Sequence, residues 1–533
     1  MKSINATEET RYFCPATVLV MASPLSIFDL VVLLSSLIAF QAVRDYRRRG
    51  GVPYPPGPRP LPVLGNLLHI PKEHSWLTYT QYSKKYGDVI SFRVFGQVIV
   101  VLNTIKAAKD LLERRGEIYS DRPETPIYDM MEWQWILPAA RYGDTWRSAR
   151  RLLDRGLRPG AAASYRPMQQ ARARVLMTRL LASPDKWEDH IELLQGELLL
   201  DMTYGYQVLD RQDRKFDMAK RLTEFGTTLV LPGALLVNNF SFLRHIPEWL
   251  PRFSYKPLAR YGHAMGVEVV NEPIHFVKES ILRGTARPSL ALQNLQEIEK
   301  LSGSDRDKAE KMVSGALASL YSAGSDTTVS ATLTFFLVCL LHPEIQKKAQ
   351  EEIDAVTGRE RFPSFEDRPR LPFVDAICKE VLRWMPVTPL VPHAVTQDDV
   401  YEGLFIPKGA IVFGNTWAIL HDPDEYEDPD AFKPERFLNS NGSLRDDLNL
   451  TSAFGYGKRI CPGRHFVDAT LFITVASLLS VFNIKKRKED EDGAFRYTYT
   501  GDSVISHPNR FGCSVVPRDK IAEELINADT LSR

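Results

Sequence analysis

The chain has 533 residues, 44% hydrophobic and 25% charged, an ordinary globular composition with enough apolar material for one large core or a few smaller ones. Its 67 Lys and Arg against 66 Asp and Glu leave a formal net charge of +1, which excludes a protein organised around nucleic-acid binding. Five cysteines, Cys14, Cys339, Cys378, Cys461 and Cys513, are odd in number and never spaced as CxxC, which excludes a disulfide scaffold and argues against a structural zinc site.

Residues 24–43, PLSIFDLVVLLSSLIAFQAV, carry one charge, Asp29. As a helix, twenty residues span ~30 Å, the thickness of a hydrocarbon core. Arg44, Arg47, Arg48 and Arg49 follow directly. Positive flanks stay cytosolic, so the spacing predicts a single-pass transmembrane anchor with residues 1–23 as a short lumenal tail. A cleaved secretory signal fits less well. The apolar run is long, the basic cluster lies on its C-terminal side, and no clean small-x-small site precedes it. Asn5-Ala6-Thr7 is a glycosylation sequon in the lumenal tail, whereas those at Asn239, Asn441 and Asn449 fall on the cytosolic side and are expected to be silent. Residues 44–60 join the basic cluster to GVPYPPGPRP, whose prolines predict a stiff hinge.

The main domain is expected over 61–517. Val89 to Asn103 is rich in β-branched residues and broken at Phe95-Gly96-Gln97, a β-hairpin pattern. Helical periodicity follows at 105–115, 142–155, 165–182, 189–204, 214–228, 255–283, 306–341, 343–357 and 373–384. A short strand pair is expected near 394–413, and a last helix from Pro462 to Phe482. Lys485 to Asp492 reads as a solvated turn, and 518–533 as a tail without signal. The fold class is therefore mainly α with a small β portion, in one large domain. IYDMMEWQWIL, residues 127–137, reads as a loop over a pocket or as packing beneath a loop. Residues 229–249 read as a channel wall that touches the membrane.

The stretch FGYGKRICPG, residues 454–463, sets a lone thiol among glycines and cations. Gly455, Gly457 and Gly463 allow backbone N–H groups to point at the sulfur, and Lys458 and Arg459 add positive charge. Pro462 suits a helix start, so the dipole also favours an anion there. Cys461 is thus expected as a thiolate. With no His or Cys partner nearby, it fits the axial ligand of a haem, whose other in-plane ligands are the porphyrin's own.

This stretch matches the Phe-x-x-Gly-x-Arg-x-Cys-x-Gly signature, and the chain resembles the cytochrome P450 monooxygenases over roughly residues 50–517. The resemblance implies a haem b (iron protoporphyrin IX) domain behind the anchor, with Cys461 as iron ligand and Phe454 in the cofactor loop. Asp326 and Thr327 in AGSDTT resemble the family's acid–alcohol pair, which handles protons for dioxygen activation. Glu380 and Arg383 in EVLR share a helix face. With Arg436 of PERF they are implied as a buried structural triad. Trp146 and Arg150 lie one turn apart, aligning two donors. By resemblance they, His393 and Arg459 approach the haem propionates.

The implied reaction inserts one atom of O2 into an apolar small-molecule substrate, with electrons from an NADPH-cytochrome P450 reductase. The implied location is the endoplasmic reticulum membrane, catalytic domain cytosolic. Lys458, Arg147 and Arg151 are candidates for a reductase-docking face. The wording of DRPE…YGDTWR and LPGALLVNNF…IPEWLPRF resembles fungal enzymes of secondary metabolism and xenobiotic oxidation. Two alternatives stay open: a haem-thiolate isomerase or dehydratase that uses no O2, and a non-catalytic haem-binding protein.

Overall fold

The computed structural model describes residues 29, 32, 36, 40, 43–230, 234–250, 254–490, 497–501 and 504–531. The expected lumenal tail with Asn5, and most of the expected anchor, lie outside the described residues. Of the anchor, Asp29, Val32, Ser36, Phe40 and Val43 are helical and exposed. The chain divides into two compact units, Met1–Pro53 and Tyr54–Arg533. In the first, residues 43–48 are helical and end in a turn at Gly50 and Gly51, both with positive φ.

The second unit begins inside the expected hinge. Residues 55–58 are not a free linker there. Ser91 donates its N–H to the Pro56 carbonyl at 2.8 Å and its hydroxyl to that of Pro55. Asn66 Nδ2 reaches the Pro58 carbonyl at 2.8 Å. Prolines accept but cannot donate, so they suit a strand edge paired by side chains.

The principal helices are α1 (Ser75–Tyr86), α2 (Asp144–Leu157), α3 (Arg166–Ala182), α4 (Trp187–Tyr204), α5 (Arg214–Leu229), α6 (Lys256–Leu282), α7 (Leu290–Ile298), α8 (Gly303–Leu341), α9 (Pro343–Thr357), α10 (Pro372–Trp384), α11 (Arg464–Val481) and α12 (Lys520–Leu531). The strands are β1 (Val89–Val94), β2 (Gln97–Leu102), β3 (Leu390–Ala394), β4 (Asp399–Tyr401), β5 (Leu404–Ile406), β6 (Ile411–Asn415), β7 (Phe482–Lys485) and β8 (Ser514–Pro517). The expected hairpin is β1–β2, closed by Phe95 and Gly96 with φ of 48° and 85°, the twist a two-residue hairpin turn prefers. β6 pairs parallel to β2 and antiparallel to β3, giving the order β1-β2-β6-β3. The region expected as one strand pair therefore carries four strands. The tail expected from 518 is likewise structured: α12 buries Ala522 and Ile526, and Asp529 accepts from Arg174 on α3 at 3.2 Å.

Local rules account for the helix limits that matter. α4 stops at Gly205, whose φ of 65° is the left-handed cap that glycine adopts most easily. α8 stops at His342 because Pro343 bars the helical conformation before it. α8 packs on α2, α4, α5, α7 and α11 and forms the axis of the core. α8 and α11 are apolar and long enough to cross a membrane, yet 67% and 72% of their apolar windows are buried inside the domain. They are core helices. Within α8, residues 313–322, 328–332 and 334–340 are buried, whereas Ala323–Thr327 are only half-buried.

Candidate active site

Cys461 lies in a tight loop that closes on itself, its N–H donating to the Phe454 carbonyl at 2.8 Å. Gly455 and Gly457 have φ of 88° and 50°. A Cβ on Gly457 would lie 2.3 Å from the Leu112 carbonyl oxygen, so only glycine fits. Gly463 has φ −80° and caps α11, which starts at Arg464 rather than Pro462. The N–H groups of Gly463 and Arg464 point at the sulfur. Burial holds the thiol above its ordinary value, opposed by these amides and by the charges of Arg150 and Arg464.

The cations expected to act on the sulfur, Lys458 and Arg459, are engaged elsewhere. Lys458 pairs with Glu117 at 3.6 Å and lies over the Tyr142 ring. Arg459 is buried and donates to the carbonyls of Ser120 at 2.6 Å, Ala140 at 2.8 Å and Leu137 at 3.3 Å. Its guanidinium sits 4.2 Å from the Trp146 ring centre. Arg150 also departs from expectation. Asp154, one turn further along α2, takes its Nε at 2.9 Å, and its Nη1 donates to the Ile460 carbonyl just before Cys461.

Beside Arg459 lies a second buried guanidinium, Arg122, bonded to the carbonyls of Pro138 at 2.7 Å and Pro392. Burial pushes Arg122 down to about 10. Burial, and then the charge of Arg122, push Arg459 down to about 9. The neighbouring Asp121 is held by Arg141 at 2.6 and 2.8 Å and by the Tyr142 N–H at 2.7 Å. His393 is fully buried, with Nδ1 2.8 Å from the Tyr119 carbonyl. A carbonyl only accepts, so Nδ1 carries the proton. Burial, with Arg122 and Arg459 close by, holds this imidazole well below its usual range, so it is neutral. Trp146 Nε1 and His393 Nε2 are buried without a partner among the described residues.

Glu380 and Arg383 are wholly buried and joined bidentately, Arg383 Nε and Nη2 donating to the two carboxylate oxygens at 2.6 and 2.9 Å, with Arg436 Nε on Glu380 at 3.0 Å. The backbone N–H of Lys433 completes the carboxylate at 2.8 Å. The helix assignment of α8 runs unbroken through the acid–alcohol turn, where Thr327 donates its hydroxyl to the Ala323 carbonyl at 3.1 Å. Asp326 faces His507 of the C-terminal loop, Oδ2 to Nε2 at 3.0 Å.

A family model described as cytochrome P450 matches residues 55–511, a span that holds every one of these groups. The chain belongs to the cytochrome P450 family. Cytochrome P450 monooxygenase 208 of Postia placenta is 40% identical to this P450 over 93% of the chain and 96% of its own length. Cytochrome P450 monooxygenase claR of Ampulloclitocybe clavipes is 39% identical over 89% and 88%. Tryptamine 4-monooxygenase of Psilocybe cyanescens is 36% identical over 92% and 98%. This P450 is accordingly a monooxygenase enzyme, and the family's cofactor is haem.

The residues present fit that group. Two buried guanidiniums whose partners are carbonyls repel each other and call for an anion. The unpaired Trp146 Nε1–H flanks them, and haem propionates are carboxylates. Trp146, His393 and Arg459 lie together in one buried cluster, joined by Arg122, which the sequence reading missed. The neutral, Nδ1-protonated His393 offers only a lone pair at Nε2, so it donates to a propionate only after taking up a proton.

The 127–137 segment mainly packs. Trp133 is buried, donates to the Gly262 carbonyl at 3.0 Å and lies against Gly226 and Gly266. Leu137 N–H ties the segment to Ser319 on α8 at 2.8 Å. Trp135 and Ile136 remain half-buried.

Proposed function

We propose that this P450 inserts one atom of O2 into an apolar small molecule, with Cys461 as iron ligand and Asp326 and Thr327 as the proton-handling pair. When bound, the haem supplies oxygen activation, and a thiolate ligand favours O–O cleavage. The protein's part is to orient and to move protons. The Gly463 and Arg464 amides, with Arg150 and Arg464, favour the anionic sulfur. Arg122, Arg459 and Trp146 seat the propionates, and His393 joins them on taking up a proton. Glu380, Arg383 and Arg436 hold the loops behind the cofactor. Thr327 and Asp326 stand on the half-buried turn of α8, where a hydroxyl and a carboxylate keep access to solvent.

The observation that carries the oxygenase reading over an isomerase or a carrier is this retained acid–alcohol pair. The test is turnover under ¹⁸O2 with NADPH and a flavoprotein reductase, feeding a panel of apolar compounds. Label in the product supports the reading. Unlabelled product would point to the isomerase, and no turnover to the carrier.

The electron donor we propose is an NADPH-dependent reductase in the same endoplasmic reticulum membrane. Arg147 and Lys458 are about half-exposed on the Cys461 side, each paired with an acid, Asp144 and Glu117. That pattern favours a mixed-charge docking face over a purely basic one. Membrane attachment through residues 24–43 is supported by their composition, and membrane contact by exposed Leu236, Phe242 and Trp249. A role in fungal secondary metabolism or xenobiotic oxidation fits the relatives, one of which is named for tryptamine oxidation.

A further inference from the structure

α8 carries three polar side chains one turn apart on one face, Asp326, Ser330 and Thr334. All three hold the C-terminal loop. Ser330 donates to the Ser506 carbonyl at 2.6 Å, and Thr334 meets the Tyr499 hydroxyl at 3.2 Å. Asp326 takes the third rung, with His507 Nε2 at 3.0 Å. An ionised carboxylate only accepts, so the imidazole donates.

His507 is itself fixed. Its N–H donates to Thr500 Oγ1 at 2.9 Å and its carbonyl accepts from Thr500 N–H at 2.8 Å. The preceding Ser506 N–H donates to the Val387 carbonyl at 2.8 Å. The ring is therefore aimed by its own backbone. The pair is not sealed off: 29% of the Asp326 side chain and 21% of the His507 side chain are exposed. Solvent reaches it, as a proton path requires. Without a fixed partner, a carboxylate this exposed would turn among rotamers and hold no single orientation.

We propose that His507 is the positioning residue of the proton relay, holding the Asp326 carboxylate in the orientation from which it serves Thr327. The proposal rests on reading Asp326 and Thr327 as the acid–alcohol pair. Neither the haem-binding motifs nor the helix motif contains His507, which lies 181 positions from its partner.

Two measurements on the holoenzyme test it. The first needs no turnover. In Asp326→Asn, diethyl pyrocarbonate should modify His507, followed by peptide mass spectrometry, about tenfold faster than in the parent, because a charge-assisted hydrogen bond restrains the ring. An unchanged rate overturns the pairing. The second follows NADPH oxidation with reductase, O2 and no added substrate, in H2O and D2O. His507→Ala should slow oxidation at least about threefold and raise the solvent isotope effect, since proton delivery becomes limiting. His507→Gln, which keeps a donor near the Nε2 position, should recover most of the parent rate. Parent-like behaviour of His507→Ala beside a slowed Asp326→Asn sinks the positioning role alone. If Asp326→Asn is also parent-like, the acid–alcohol reading fails with it. Equal loss in the Ala and Gln variants would mark a structural role and overturn the proposal.

Discussion

Cys461 is pulled in two directions: burial favours the neutral thiol, while two amides and two guanidiniums favour the anion. Its loop was legible in the sequence because the glycines that shape it lie within ten positions. The identity of the helping cations was not. Lys458 and Arg459 are adjacent in sequence but swing away, one to Glu117 and the other to three carbonyls. Arg122 and His507 were illegible for a related reason: their partners Pro392 and Asp326 stand 270 and 181 positions away, and spacing rules see only neighbours. At this scale Thr327→Ala removes the relay hydroxyl. Product formed per NADPH should fall at least about tenfold, with peroxide released instead. Unchanged coupling, measured by oxygen electrode and product assay, would move the role to another group.

Among the elements, α10 was legible because its apolar positions recur with helical period, α8 because its long run of apolar and small residues holds no proline, and prolines mark the end of α8 and the start of α10. α1 and α12 were not. α1 buries only Trp76 and Tyr79, and α12 only Ala522 and Ile526, too few to show a period. Residues 127–137 carry tryptophans that a loop on the surface would not need. The slot lined by Gly226, Gly262 and Gly266 on α5 and α6 takes Trp133, and Trp135 lies against Gly315 on α8; no local pattern announces either contact. The Cys461 loop depends on one such close approach. Gly457→Ala forces a Cβ against the Leu112 carbonyl and a left-handed conformation, together costing about 2–3 kcal/mol. Haem content after purification should drop, with the protein otherwise folded by circular dichroism. Full haem retention would show that the loop tolerates a shift.

The whole domain rests on polar groups taken out of water. Arg383→Ala leaves Glu380 buried beside Arg436 alone, at a cost of about 3–5 kcal/mol, which denaturant titration should read as a lowered midpoint together with haem loss. Stability also carries a pH signature. Burial, reinforced by Arg383 and Arg436, pushes His421 down to about 3. Near pH 6.5 and below, the unfolded chain takes up a proton that this folded imidazole refuses. Its contribution is thus complete above about 6.5 and is lost as pH falls toward 3. Stability should decline over that window by up to about 1.4 kcal/mol per pH unit, and His421→Gln should flatten the decline. An equal slope in the variant would show that His421 is not buried neutral.

The most direct test is the absorption spectrum of the reduced, carbon monoxide-treated protein, parent beside Cys461→Ala, at matched protein concentration. The parent should show the red-shifted Soret band of a thiolate-bound haem, and the variant should lack it. A variant spectrum identical to the parent's would mean that another group holds the iron, and the site described around Cys461 would be contradicted.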